Sequence, residues 1–383
     1  MNQTTAGPNQ YVVVDLPANS LVDLDTVSWW FLGSTSAATS PPGFPRNIEQ
    51  IIERLEIEVN GQIIGGGGLN HWNHLFSVIT DMQLGTDGQQ RRKVLQNGAD
   101  QAAPAAATTN QQFCIQNFPF SFTGGSKSRI IDTSLLGLVR LRFSLASANV
   151  LIGLANTTAD ATYTLSEMFF TCTTLSIDDG YYYKIHDSWL SEKGKVLELA
   201  YDDWTCVSQS NTSHDQSTRF SVSTQSLDMV IGMFLNGGYN AIGPVVAQSS
   251  TSPYFTRIAQ HLKTYQFSIN GVTHPNFLVT PAQGFGHMLN ATGRSQDTLG
   301  GSYFGIDSIA DWQNYFFAAF VRLDHPVDAT EAFISGMDTR GTNMTGVFQT
   351  VSDGTSTANV SVVFAKCTRV LRVGAGMQIE VVQ

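Results

Sequence analysis

Apolar residues along this chain fall mostly in short segments that are rich in β-branched and aromatic side chains, as is typical of β-strands. Two segments alternate strictly, Leu55-Glu-Ile57-Glu-Val59 and Val139-Arg-Leu141-Arg-Phe143, and each predicts a strand with one buried face and one exposed face. The predicted strands cover residues 11–16, 27–32, 55–59, 113–122, 138–145, 163–177, 196–201, 219–223, 264–269, 316–323, 359–373 and 377–382.

Helical spacing of apolar residues is rare. The pattern predicts three short helices, over residues 71–82, 226–235 and 308–315. Two long segments, residues 83–112 and 335–357, show neither the apolar spacing of a helix nor the alternation of a strand. Structureless loops of that length are uncommon inside compact domains, so we interpret both segments as surface excursions.

The chain contains an internal repeat with a constant offset of 210 residues. The sequence IEQIIERLEIEVNG at 48–61 aligns without a gap with IAQHLKTYQFSING at 258–271, and the match continues where Leu75 and Val78 align with Phe285 and Met288. Identical pairs are Ile48/Ile258, Gln50/Gln260, Asn60/Asn270 and Gly61/Gly271. Because Asn-Gly accommodates the positive φ of tight hairpin turns, each half predicts a strand, a turn and a short helix in the same order.

Two further matches occur later in each half, at different offsets. The triplet Val139-Arg140-Leu141 recurs as Val321-Arg322-Leu323, and Phe169-x-x-Cys172-Thr173 recurs as Phe364-x-x-Cys367-Thr368. All the matches keep the same order in both halves, which favours duplication of one domain. The structural anchors of this repeat are Asn60, Gly61, Asn270, Gly271, Cys172 and Cys367.

The number of strands in each half, with the long loops between them, predicts an all-β protein made of two tandem eight-stranded antiparallel jelly rolls with short helices. The first roll would span residues 1–180, an inter-roll connection residues 181–204, and the second roll residues 205–383. The connection is dense in Tyr and Trp, so we expect the two rolls to pack rigidly side by side. Two unrelated β-sandwich domains with similar hairpins are the alternative.

Composition narrows the functional classes. The 383 residues include 21 Lys+Arg and 31 Asp+Glu, and the resulting net charge of −10 disfavours a protein that binds nucleic-acid phosphates. The hydrophobic share of 42% is too high for a disordered chain. Four widely spaced cysteines without a CxxC pair suggest reduced thiols and cytosolic maturation. The N-terminal residues lack the pattern of a secretory signal, and no stretch is long and apolar enough to span a membrane.

In its order of segments the chain resembles the double jelly-roll major capsid proteins of tailless icosahedral viruses, especially bacteriophages with an internal membrane. The resemblance rests on the strand and turn at 53–64, the short helix HWNHLFSVI at 71–79, the aromatic crossing YYYKIHDSWL at 181–190, the segment KVLELAYDDW at 195–204 and the duplicated turn SING at 268–271. It covers nearly the whole chain, although no single motif is diagnostic.

The resemblance implies a viral major capsid protein, made in the host cytoplasm and located in the virion. Three copies would form a homotrimer whose six rolls give a hexagonal outline, with strands upright in an icosahedral shell around the genome. Neighbouring trimers, minor capsid or penton proteins and an internal membrane would be its partners, without sequence-specific nucleic-acid binding. The segments 83–112, 236–253 and 335–357 would form outer towers or contacts between subunits.

Three acidic pairs are candidates for a structural Ca²⁺ site, because carboxylate oxygens are the ligands that Ca²⁺ prefers. They are Asp23 with Asp25, Asp178 with Asp179, and Asp202 with Asp203. None has the spacing of an EF-hand, so solvated turn carboxylates are the alternative interpretation. No other cofactor is expected.

No catalytic set is recognisable in the sequence. The glycine run at 65–68 lacks the Lys-Ser/Thr of a phosphate loop, and His71 with His74 lacks a third metal ligand nearby. The short basic clusters at 91–93 and 127–129 suggest solvated loops. We therefore expect no enzyme. A tandem β-sandwich lectin is the alternative function, supported only by the supply of Trp29, Trp30, Trp72, Trp189, Trp204 and Trp312.

Overall fold

A computed structural model describes most of the chain. The described residues are 1–37, 42–66, 69–83, 109–116, 118, 129–152, 160–177, 179–191, 196–240, 253–291, 306, 308–324, 336–340, 345–374 and 378–382. Several sequence-based assignments fall outside them. These are residues 84–108 of the first predicted excursion, residues 241–252 of the candidate tower 236–253, the basic cluster 91–93, residues 127 and 128 of the other basic cluster, Gly67, Gly68 and Asp178.

The first half of the chain forms two antiparallel sheets. Its strands are β1 (Tyr11–Asp15), β2 (Leu21–Ser36), β3 (Ile52–Val59), β4 (Gln62–Gly65), β5 (Gln111–Gln116), β6 (Ile130–Asp132), β7 (Val139–Leu145) and β8 (Thr162–Leu175). One sheet has the order β1-β7-β3-β4. In the other sheet, β2 lies between β5 and β8, β6 pairs with the start of β2, and Ala6 bridges to Leu165 on the outer edge of β8.

The second half repeats this arrangement. Its strands are β9 (Leu197–Asn211), β10 (Gln216–Phe220), β11 (Leu227–Asn236), β12 (Leu262–Ile269), β13 (Val272–Val279), β14 (Ala319–Arg322), β15 (Gly346–Ser352), β16 (Asn359–Gly374) and β17 (Gln378–Val382). One sheet has the order β10-β15-β12-β13. The other places β11 between β14 and β16, with β9 along the outer edge of β16 and β17 beside the end of β16.

The strand orders of the two halves correspond one to one. The order β1-β7-β3-β4 matches β10-β15-β12-β13, and β5-β2-β8 followed by the Ala6 bridge matches β14-β11-β16-β9. Each half thus has the two four-stranded sheets and Greek-key connections of a jelly roll, which confirms the predicted fold class. The domain boundaries at residues 180 and 204 stay a prediction, and the pairing of β9 with β16 begins at Leu197.

Among the described residues, five helices accompany the strands, and one pair of them occupies corresponding places in the two rolls. The helices are α1 (Trp72–Gln83), α2 (Thr133–Leu136), α3 (Asp179–Ser191), α4 (Pro281–Ala291) and α5 (Ile309–Tyr315), with 3₁₀ turns at Ile48–Ile51, Ala148–Val150 and Pro253–Phe255. Helix α1 follows the β3–β4 hairpin, and α4 follows the β12–β13 hairpin, as the repeat predicts. The first part of the predicted inter-roll connection lies in α3, and its last part begins β9. In the described part of the chain, no helix has the length and apolar character needed to cross a membrane.

The Asn-Gly turns adopt the backbone expected of tight hairpins. Asn60 and Gly61 have φ of 48° and 85°, and Asn270 and Gly271 have φ of 53° and 75°. All four residues are therefore in the left-handed region, where Asn and Gly carry little strain. The turns join β3 to β4 and β12 to β13 with the same geometry.

Two assignments from the sequence are wrong. The predicted helix at 226–235 is the strand β11, which is buried on both faces and for that reason lacks the alternation of a half-exposed strand. The predicted excursion at 335–357 contains β15, which lies inside its sheet between β10 and β12. Its inward-facing residues Gly346, Phe348 and Thr350 include only one large apolar side chain, and Val347 and Val351 lie on the other face, so the strand lacks the usual alternation of a half-buried strand.

The two later matches of the repeat have different outcomes. Cys172 and Cys367 lie on corresponding strands, β8 and β16, and Phe169 and Phe364 each face the central strand of their sheet, opposite Trp30 and Ile231. The Val-Arg-Leu match is wrong as a sign of duplication. Its first copy lies in β7, whose counterpart is β15, whereas its second copy begins in β14.

Candidate assembly interface

A buried ion cluster joins the two rolls. Asp81 on α1 accepts hydrogen bonds from Arg46 of its own roll and, at 3.0 Å, from Arg257 of the second roll. Arg257 also donates to Ser77 on α1 at 3.2 Å. The side chains of Arg46, Asp81 and Arg257 are only 2%, 4% and 1% exposed. Because charges this deeply buried need close partners, the cluster fixes α1 against the second roll.

An aromatic cluster lies beside these charges. The imidazole of His74 on α1 stacks on Tyr254, with ring centroids 4.8 Å apart, and also contacts Phe255 and Tyr239 of the second roll. His74 is fully buried, and burial lowers its pKa well below the usual value, with further lowering by the nearby charges of His71 and Arg257. Burial between the rolls therefore favours the neutral form of His74.

We expect this histidine to make the protein acid-sensitive. The unfolded chain protonates His74 near pH 6.5, whereas the folded chain does so only at lower pH, so the free energy of unfolding falls as the pH decreases below about 6.5. The variant His74→Phe keeps the stack on Tyr254 and cannot be protonated, and its melting temperature should fall less between pH 7.5 and 5. Equal acid sensitivity of the two proteins would contradict the assignment. Burial raises the pKa of Asp203, which makes stability change with pH in the opposite direction. Asp203 is present in both proteins, so its effect cancels when the two are compared.

A second set of contacts between the rolls involves the beginning of β9. Tyr201 donates a hydrogen bond of 2.6 Å to the carbonyl of Ile64, and Asp203 accepts one of 3.2 Å from the backbone amide of Gly66. Asp203 also pairs with Arg369 at 3.1 Å. Burial raises its pKa, and Arg369 opposes that shift. Together with the ion cluster, these contacts hold the rolls together at two separate places.

The calcium candidates face basic residues where the structure describes them. Asp23 forms two 3.0 Å hydrogen bonds with Arg129, Asp25 lies 3.2 Å from the same guanidinium, and Asp202 pairs with Lys366 at 2.8 Å. The side chain of Asp179 and all of Asp178 lie outside the described residues. No three His, Cys, Asp or Glu side chains come together as a metal site among the residues that the structure describes.

The other candidate chemical groups are held in unreactive settings. The rings of His71 and His74 are adjacent, with centroids 5.4 Å apart, and burial lowers both pKa values, but no third metal ligand joins them among the described residues. Burial raises the pKa of the Cys172 thiol and raises that of Cys367 to about 12, which disfavours the reactive thiolate.

Most of the tryptophans that could support sugar binding are buried. Trp29, Trp72, Trp204 and Trp312 are at most 3% exposed. Trp30 is partly exposed and stacks on Phe169, and the side chain of Trp189 lies outside the described residues. The four buried tryptophans therefore do not form the exposed row of aromatic side chains that a lectin of this type would need.

Several large apolar side chains are exposed, and three of the places where they lie stand out. Phe169 on β8 is 49% exposed, Phe277 and Leu278 on β13 are 47% and 58% exposed, and Tyr181 on α3 is 72% exposed. Exposed apolar patches of this kind commonly mark contact surfaces. The sequence gives no signal that separates them from core residues, because large apolar side chains in strands and helices are most often buried.

Comparison with solved structures finds the same fold in viral capsids. A chain of the PBCV-1 virus capsid gives a TM-score of 0.59 at 12% identity, with 98% of this chain and 95% of that chain covered. The Faustovirus major capsid protein gives 0.56 at 10% identity, with 97% and 89% covered. A chain of the Sputnik virophage gives 0.55 at 10% identity, with 99% and 88% covered. No family model and no curated protein matches the sequence.

Proposed function

We propose that this chain is the major capsid protein of an icosahedral virus. The observation that carries the proposal is the match of both rolls, in order and over nearly the full length of each chain, to solved capsid proteins such as that of Faustovirus. A fold by itself does not establish function. The rigid joining of two rolls and the exposed apolar patches provide independent support, because both suit a building block of a shell.

The proposed assembly unit is a homotrimer. Two similar rolls in each chain, times three copies, place six similar units around one axis and give a hexagonal outline that tiles a shell. Obligate interfaces of this kind commonly bury more than about 2,000 Å². The low share of charged residues, 14%, suits a molecule whose surface is covered largely by sister subunits.

Further partners follow from the same proposal. Neighbouring trimers and minor capsid or penton proteins would contact the trimer edges, and an internal membrane would lie beneath the shell. Tyr181 and Tyr183 on α3 are 72% and 39% exposed, and such aromatic side chains suit a lipid headgroup region. The protein would be made in the host cytoplasm and act as a structural component of the virion, without catalysis or sequence-specific nucleic-acid binding.

Negative-stain electron microscopy of the purified protein tests the proposal, together with light scattering. We expect particles with a hexagonal outline and the mass of three copies at micromolar concentration, or closed shells. A monodisperse monomer would contradict the capsid assignment. Glycan-array binding by such a monomer would favour the lectin alternative.

Structural calcium is a separate question that chelation can answer. Because Arg129 and Lys366 already face Asp23, Asp25 and Asp202, we expect removal of divalent ions to leave the melting temperature of the assembly unchanged. A melting temperature that rises with added Ca²⁺ would instead support an ion-binding site at these carboxylates.

A further inference from the structure

The two rolls bury the same position very differently. The ring centroids of Trp29 and of Phe143 on the facing sheet are 5.2 Å apart, so Trp29 points into the core. Successive side chains of a strand point to opposite faces, so Trp30 points outward. Phe169 lies opposite Trp30 on the neighbouring strand and points outward as well. In the second roll, a side chain at Gly232 would meet Phe348 of the facing sheet, so Ile231 and the opposite Phe364 point outward in the same way. Yet Phe169 is 49% exposed, whereas Ile231 and Phe364 are completely buried.

The buried outer face of the second roll borders the contacts with α1. The backbone of Arg257 bridges to Leu235, which follows Ile231 on the same face of β11, and its side chain binds Asp81 on α1. The corresponding outer face of the first roll, around Trp30 and Phe169, has no such neighbour among the described residues.

The corresponding helices differ in the opposite sense, because the helix of the first roll is buried and that of the second roll is partly exposed. Every described side chain of α1 from residue 72 to residue 81 is buried, because the helix lies between the two rolls. Its counterpart α4 leaves Ala282, Gln283, Gly286 and Asn290 exposed. Beside α4, the edge strand β13 exposes Val272, Phe277 and Leu278, which are 57%, 47% and 58% exposed.

A recess continues this exposed surface. It has a volume of about 270 Å³ and is lined by His274 and Pro275 of β13, by His287 and Asn290 of α4 and by Arg322. Phe277 lies at its margin, with its ring 5.7 Å from that of His287. An apolar surface with an adjoining recess is the form in which large aromatic anchors are usually bound at interfaces.

We propose that the α4–β13 surface of one copy docks on the Trp30–Phe169 face of a second copy, and that this contact repeats between chains the contact that α1 makes within the chain. The inference rests on the proposed homotrimer and names the surfaces that form it. Each chain leaves exposed the two surfaces whose counterparts, α1 and the outer face of the second roll, are buried inside it. The contact is heterologous, so it closes into a ring when the rotation allows.

Two single substitutions test this docking. Phe169→Asp and Leu278→Asp each place a charge in one of the two surfaces, and we expect light scattering at micromolar concentration to show monomers in place of trimers. The control is Tyr11→Asp on β1, where Tyr11 is 64% exposed and outside both surfaces, and it should remain trimeric. The melting temperature of each variant shows whether it folds. If Phe169→Asp does not fold, Thr171→Arg, which also lies on the outward side of β8, replaces it.

Mixing the two variants tests the pairing of the surfaces. Equal amounts of Phe169→Asp and Leu278→Asp still provide one intact contact, so we expect species with the mass of two copies and no closed trimer. Wild-type trimers together with trimers of both variants would overturn the docking and leave the capsid proposal standing. A monomeric wild type would instead overturn the capsid proposal itself. Dimers of either variant alone would contradict the heterologous pairing.

Discussion

Replacing Asp81 by alanine should lower the free energy of unfolding by about 3–5 kcal/mol, the usual cost of removing one partner from a buried ion pair. The carboxylate is 4% exposed and accepts hydrogen bonds from both Arg46 and Arg257. Its loss leaves two buried guanidinium groups without their shared counter-charge. Urea unfolding followed by tryptophan fluorescence measures the change.

The matched control is an ion pair of the same chemistry on the surface. Asp338 and Arg340 lie 2.7 Å apart and both are about half exposed, so Asp338→Ala should not measurably shift the unfolding midpoint. If Asp81→Ala behaves like this control, the ion cluster does not hold the rolls together. The variant Asp81→Asn keeps the shape and some hydrogen bonds, and its effect should be intermediate.

Replacing Phe348 by alanine should cost about 3–5 kcal/mol of stability, as for other fully buried phenylalanines. Phe348 is completely buried in β15, and its ring lies 4.7 Å from that of Phe267 and 5.5 Å from that of Phe234 on the facing sheet. It fills the space above Gly232, where a larger residue would collide with it. Thermal unfolding would show the loss as a lower midpoint.

A neighbour in the same strand provides the control for this variant. Val351 is 43% exposed, and Val351→Ala should change the unfolding free energy by no more than about 0.5 kcal/mol. Similar small effects at both positions would support the sequence-based interpretation of this segment as a surface excursion. A large difference between them would show that β15 belongs to the core.

The sequence predicts much of the fold where local patterns are strong. The Asn60-Gly61 and Asn270-Gly271 turns identify two hairpins of equal form, and the gap-free match beyond them places a helix after each. These signals are local, because turn residues and apolar spacing act within a few positions. Strand β11 is misassigned because burial on both faces hides the period of two. Strand β15 is misassigned because its inward face places Gly346 and Thr350 beside Phe348, while two valines face outward.

The interface between the rolls was not predictable from the sequence. Asp81 and Arg257 are 176 residues apart, and nothing near either residue indicates its partner. Likewise His74 looks like an ordinary polar helix residue until the second roll buries it against Tyr254. Long-range pairing of this kind depends on how whole domains pack.

The sequence by itself determined that this protein is built from two similar all-β halves, because hairpin turns and strand periodicity are properties of short segments. Only the tertiary structure decided which copy of each repeated element is covered. Phe364 and Phe169 occupy corresponding positions, yet one is buried and the other half exposed. The physical reason is that the outer face of the second roll borders its contacts with α1, whereas the outer face of the first roll has no such neighbour among the described residues.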